Sequence, residues 1–167
     1  AIEALRANLI DVAVVTSPFA DKTGLNINVI KKLQDIVAAG NGFFYLKDKE
    51  ISLHELVKYP LICLKNTTTT RNYLDHIFRQ HNLLLRPDIE LTSINFVMPM
   101  VKNNLGIGFM QYATTKAEIE AGNIFRVNTK EQIPPRSICA VTASQYETPE
   151  PVQRFIDSLL EKESVNI

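Results

Sequence analysis

Two hydrophobic rhythms alternate along the chain, one of short apolar runs and one of apolar residues at helical spacing. Residues 1–6 read as the closing turns of a helix, and residues 10–15 (Ile-Asp-Val-Ala-Val-Val) form a β-branched run typical of a buried parallel strand. Thr16-Ser17-Pro18 ends that run, because proline cannot continue a ladder. Strand-like pieces follow at residues 27–30 and 35–38, punctuated by Gly40-Asn41-Gly42. Residues 47–50 (Lys-Asp-Lys-Glu) read as a solvated turn. Ser52 with Glu55 three residues on forms a capping box that opens a short helix, and Pro60 closes it.

Residues 61–64 are the next strand. Leu74, Ile77, Phe78 and His81 recur at helical spacing, which predicts a helix from Thr69 or Thr70 to about Asn82. The same grammar then repeats. Residues 89–91 make a strand and Ser93 an N-cap, and Ile94, Val97 and Val101 give a helical stripe in which Pro99 is expected to kink the helix or remove one hydrogen bond. Strands at 106–110, 124–127 and 137–142, a short helix at 113–120, and a terminal helix carrying Val152, Phe155, Ile156, Leu159 and Leu160 complete the chain. Strands alternating with helices predict an α/β fold with a largely parallel sheet.

The 167 residues suffice for one domain or two small lobes. Eighteen lysines and arginines balance eighteen aspartates and glutamates. A domain that grips nucleic acid through phosphates carries a basic surplus, so this segment is not expected to touch DNA itself. No apolar run approaches the roughly 20 residues that span a bilayer, and no secretory signal pattern opens the chain. The expected location is therefore the cytoplasm, with no membrane partner. Cys63 and Cys139 each lie inside an apolar run and read as small core residues rather than reactive thiols.

Three polar loops lie after a strand and before a helix: Thr16-Ser17, Thr67-Thr68-Thr69-Thr70 and Thr92-Ser93. In open α/β sheets ligands bind beyond the carboxyl ends of strands, where free N–H groups and helix dipoles favour an anion. Hydroxyls there can donate to a carboxylate or sulfate-like oxygen. The competing reading is ordinary helix capping, worth about 1 kcal/mol per residue. Capping suffices for Ser93, whereas four successive threonines exceed what one cap needs. Arg71, one residue beyond them, reads either as a bidentate anion partner or as a surface residue, and Asp75 as solvent-facing. None of His54, His76 and His81 is spaced with cysteine or acid as a metal set, no phosphate loop is present, and Gly106-Ile107-Gly108 lacks the third glycine of a dinucleotide fingerprint. No catalytic residue, metal or cofactor is expected.

In order, residues 10–16, Ile51-Ser52-Leu53-His54-Glu55-Leu56 with Tyr59-Pro60-Leu61-Ile62, Val101 with Asn104-Leu105-Gly106-Ile107-Gly108, and Phe155-Ile156-Asp157 in the last helix resemble successive segments of one family. The chain is similar to the effector-binding domain of LysR-type transcriptional regulators. The resemblance implies a two-lobe, type 2 periplasmic-binding-protein-like fold with Rossmann-like lobes and mixed, mostly parallel sheets. It divides the chain into lobe I (1–18 with 134–167) and lobe II (19–133). Against the family pattern, the opening strand-helix-strand and the winged helix-turn-helix with its linker are missing, so the domain is expected to be N-terminally incomplete. Asn104 replaces the family's glycine, and asparagine tolerates left-handed geometry.

The resemblance further implies an effector held between the lobes, with Thr16, Thr68, Thr69, Ser93 and Ile94 at the cleft; the loop reading adds the hydroxyls of Ser17, Thr67 and Thr70 and makes the expected ligand a small anionic metabolite. The resemblance also implies assembly as a homodimer or homotetramer, and DNA contact only through the absent N-terminal domain. Two other readings share the architecture: an exported solute-binding protein of a transporter, and an enzyme resembling prephenate dehydratase. The Thr70-Arg71 pair fits the latter's motif, but the following asparagine and the mid-chain position do not.

Overall fold

A computed structural model describes residues 1–19 and 21–164. The elements are α1 (Ile2–Arg6), β1 (Ala13–Thr16), β2 (Leu25–Leu33), β3 (Asp35–Gly40), β4 (Glu50–Ile51), α2 (Leu53–Leu56) and β5 (Leu61–Leu64). There follow α3 (Thr69–Gln80), β6 (Ile89–Leu91), α4 (Val97–Lys102), β7 (Ile107–Gln111), α5 (Tyr112–Glu120), β8 (Ile124–Thr129), β9 (Arg136–Ala143) and α6 (Glu150–Ser164). Short 3-10 segments at Asn41–Leu46 and Ile94–Phe96 complete the set.

Two compact units divide the chain, one of Ala1–Leu33 with the segment from Pro135 onward, the other of Gln34–Pro134. The first unit holds a three-stranded sheet in the order β1-β9-β2, antiparallel throughout. Residues 10–15 therefore differ from the buried parallel strand their composition suggested: the strand starts at Ala13, pairs antiparallel with β9, and leaves Val14 half exposed. The first compact unit runs on through β2 to Leu33. The Leu-Asn-Ile-Asn-Val alternation in β2 directs Leu25 and Ile27 onto the core of Leu5, Ala13, Cys139 and Val141, and this ties β2 to the first unit.

The second unit is built on a mixed six-stranded sheet in the order β4-β8-β3-β7-β5-β6. All of β3 is buried, as a central strand of small and β-branched residues should be. It runs antiparallel to β7 and β8, whereas β5 runs parallel to both β6 and β7. Apolar residues cover both faces: α3 brings Leu74, Ile77 and Phe78 to one, and α4 brings Val97 and Val101 to the other. Residues 47–50 hold a finding the turn reading missed, since Glu50 and Ile51 form a short strand parallel to β8.

Local signals explain the helix ends. Ser52 and Glu55 form the reciprocal capping box at α2. Pro99 neither kinks α4 nor breaks a bond within it, because the helix begins at Val97 and first-turn N–H groups have no intrahelical partner. Asn104 takes the left-handed conformation at φ 61°, and its Oδ1 accepts from the Gly42 N–H at 2.6 Å. A side chain at Gly40 would meet the Val101 carbonyl and this same amide, so a glycine notch and an asparagine latch join β3 to the end of α4.

Candidate functional site

The ladder between β5 and β6 fixes the geometry of the second unit's polar loops. Leu64 is paired with Leu91 in parallel register, and the Lys65 N–H donates to the Leu91 carbonyl at 2.9 Å. Both strands therefore end level, and the loops that follow them leave the same sheet edge side by side. Thr67, Thr68, Thr69 and Thr70 open α3, while Ser93 and Ile94 open the neighbouring 3-10 segment. The loop after β7 reaches this edge too, given the pairing of Leu61 with Ile107. Gln111, Tyr112 and Thr114 there went unnoticed in the sequence, where a Gln-Tyr-Ala-Thr run after a strand was the available signal.

Within the threonine run, one residue does the capping. Thr68 accepts from the Arg71 N–H at 3.2 Å and donates its own hydroxyl to the Lys65 carbonyl at 2.8 Å. Thr67 and Thr69 are exposed, and Thr70 is partly buried. Ser93 caps its segment through a long bond from the Asn95 N–H at 3.4 Å, and Ile94 and Phe96 project apolar surface beside it. Hydroxyls, helix starts and exposed apolar side chains thus share one edge, a combination suited to a small molecule with an anionic end. Thr16 and Ser17 belong to the first unit, at the end of β1. Ser17 closes the β1–β9 ladder: its N–H donates to the Ser137 carbonyl and its hydroxyl accepts from the Ser137 N–H, both at 2.8 Å.

Arg71 is neither a ligand-facing nor a surface residue. Its guanidinium donates to Asp75 at 2.9 Å, Glu90 at 2.7 Å, the Leu64 carbonyl at 3.1 Å and the Leu85 carbonyl at 3.1 Å. Burial opposes its charge, but the Glu90 and Asp75 carboxylates more than offset that, so its pKa lies above the ordinary arginine value. Asp75 is correspondingly sheltered rather than solvent-facing, with its side chain 15% exposed. The network holds the carboxyl end of β5, the first turn of α3 and β6 in fixed register, which positions the hydroxyl edge. Burial pushes the Cys63 thiol up to about 12 and the Cys139 thiol upward as well, so neither offers a thiolate. Among the described residues no group of histidine, cysteine, aspartate or glutamate is arranged to hold a metal ion, and no helix is long and apolar enough to cross a membrane.

An α/β chain of two units, with a hydroxyl-lined edge and a structural rather than catalytic charge network, belongs to the class of ligand-binding domains. The LysR substrate binding domain matches residues 1–164, and the chain belongs to that family, the effector-binding domains of LysR-type transcription regulators. It is 29% identical over 111 residues to the HTH-type transcriptional activator CmpR of Synechocystis sp., a match covering 65% of this chain and 36% of CmpR. It thus spans little more than a third of that relative's length.

Among solved structures, the CcmR regulatory domain of Synechocystis PCC6803 in complex with 2-PG superposes with a TM-score of 0.79 at 18% identity, covering 97% of this chain and 77% of that one. The effector-binding domain of QuiR in complex with shikimate gives 0.75 at 18% identity, covering 98% and 76%. These likenesses establish the periplasmic-binding-protein-like type 2 fold. The family and these relatives are regulators rather than enzymes, so neither the dehydratase-like nor the transporter reading is favoured.

Proposed function

We propose that this chain senses a small anionic metabolite at the edge where β5 and β6 end, and that binding there changes how the regulator it belongs to engages DNA. The observation that supports the reading is the level ending of β5 and β6, which sets the Thr67–Thr70 loop beside Ser93 and Ile94. The exposed hydroxyls of Thr67 and Thr69, the partly buried Thr70 and the second lone pair of Thr68 are the proposed donors and acceptors, with Ser93 beside them and Ile94 as an apolar wall. Thr16 and Ser17 keep a proposed role as effector contacts, Ser17 through the hydroxyl proton left over after its bond to Ser137.

The ligands bound by CcmR and QuiR in their solved structures, 2-PG and shikimate, indicate the chemical size and charge to test first. In the proposed scheme the anion binds one conformation more tightly than another, and that difference in affinity sets the size of the response. DNA contact is assigned to a domain outside this chain, the assembly to a homodimer or homotetramer, and the setting to the cytoplasm.

A thermal-shift screen of small carboxylates and phosphate esters, including 2-PG and shikimate, tests the reading. A specific effector raises the melting temperature with the logarithm of its concentration, reaching about 2.7 kcal/mol of stabilisation at a hundredfold excess over its Kd. A melting temperature that no such anion raises in this way overturns it.

A further inference from the structure

A cationic recess lies beside α3, lined by Asn66 and Arg71 on either side of the threonine run and by residues further along the helix and beyond it. Asn66 and the segment after α3 enclose, with one stripe of the helix, a depression of about 250 Å³. Arg71, Asp75 and Arg79 lie on that stripe at successive steps of four residues, and Leu84 and Arg86 come from the segment that follows. Arg71 is paired with Asp75 and Glu90, which leaves Arg79 and Arg86 as the unbalanced charges of the recess.

The arginines differ in what they are free to do. Arg71 gives its guanidinium to four protein acceptors, and Asp75 Oδ1 is engaged by it. Arg79 and Arg86, both exposed, take part in no hydrogen bond or ion pair among the described residues. Arg79 lies in the last turn of α3, where a cation offsets the negative end of the helix dipole, but that leaves Arg86 unexplained. Two guanidinium groups lining one recess repel each other, and an oxyanion between them removes the repulsion while matching their planar forks. Leu84, 62% exposed, supplies an apolar wall.

We propose that this recess is a second anion site, distinct from the hydroxyl edge, which takes a small doubly charged phosphate group on Arg79 and Arg86 with the Asn66 amide beside them. With Arg71 already neutralised by Asp75 and Glu90, the two unpartnered guanidinium groups of Arg79 and Arg86 favour a phosphate dianion over a monocarboxylate. The site does not depend on the assignment of the hydroxyl edge.

The test is an NMR titration of this chain with inorganic phosphate at constant ionic strength, following the Arg79 and Arg86 Nε–H and the Leu84 and Leu85 amide signals. Saturable shifts are expected at those positions. They should weaken at least about tenfold in the Arg79→Gln/Arg86→Gln double variant, whose substitutions are exposed, and persist in Thr69→Ala. Shifts that fail to saturate, survive the double variant or vanish in Thr69→Ala overturn the proposal. Loss of a metabolite response in Thr69→Ala with the phosphate shifts intact bears on the hydroxyl edge alone.

Discussion

The Arg71 guanidinium lies 2.7 Å from the Glu90 carboxylate and so ties the first turn of α3 to β6. A second bond to Asp75 and two to backbone carbonyls leave the group fully partnered and its side chain only 7% exposed. Replacing it by methionine strands a sheltered carboxylate and two carbonyls. Arg71→Met should therefore lose about 3 kcal/mol in urea denaturation. Arg71→Lys should recover little, because one ammonium cannot meet four acceptors in a fixed fork. A near-neutral Arg71→Met would show that the network does not hold the edge together.

The asparagine latch makes a second expectation. Asn104→Ala puts at a left-handed position a residue that tolerates it less well than asparagine, and removes the acceptor for Gly42, so it should destabilise by about 1–3 kcal/mol. Asn104→Gly relieves the backbone but not the lost bond, and should fall between that variant and wild type. Gly40→Ala should be worse than either, since its added carbon meets the backbone oxygen of Val101. Chemical denaturation ranks all three, and an order with Gly40→Ala mildest would contradict the packing described.

Cys63 provides a pH test. Its thiol is held up to about 12 in the folded state by burial, above the usual range near 8.5 for an exposed cysteine. An acid with a raised folded pKa favours the folded state fully below the unfolded value and loses that contribution as pH rises toward the folded one. Stability should thus decline above about pH 8.5. Cys63→Ala, with cavity cost measured at neutral pH, should flatten that decline. In the native protein at pH 8, Ellman's reagent should leave Cys63 unmodified until denaturant is added; rapid native labelling would contradict its burial.

The capping box at α2 tests the acid side. The Ser52 backbone N–H, with help from its hydroxyl, holds the Glu55 carboxyl below its ordinary value. That contribution is present above the usual carboxylate range and lost as pH falls through the lower folded pKa. Ser52→Ala should cost about 1 kcal/mol at neutral pH, and NMR titration of Glu55 in that variant should show its pKa move only part of the way toward the ordinary value, because the backbone N–H remains. An unchanged Glu55 titration would mean that the hydroxyl has no share in the shift, which would then rest on the backbone N–H alone.

Much of this architecture is legible in the residues. Capping and proline signals mark α2, and the helical spacing of Leu74, Ile77 and Phe78 marks α3 with its buried face. Strand direction is not legible from composition: β1 is as β-branched as a parallel strand, yet its partner β9 lies more than a hundred residues away and runs against it. The two-residue β4 is too short to carry an alternation. Among the candidate site residues, Thr68 shows why a polar run resists assignment, since its hydroxyl caps the helix while those of Thr67 and Thr69 are exposed. Arg71 had a readable signal, because it shares the i, i+3, i+7 stripe with Leu74 and Phe78 and so points to the sheet. Its loop position and charge suggested the opposite.

The central claim is that a small anion is held at the edge where β5 and β6 end. Calorimetric titration with the anion that most raises the melting temperature, comparing wild type with Thr69→Ala/Ser93→Ala, tests it most directly. Binding should weaken at least about tenfold in the double variant, the equivalent of about 1.4 kcal/mol. An unchanged Kd, in a variant that keeps its fold, would place the sensing site elsewhere.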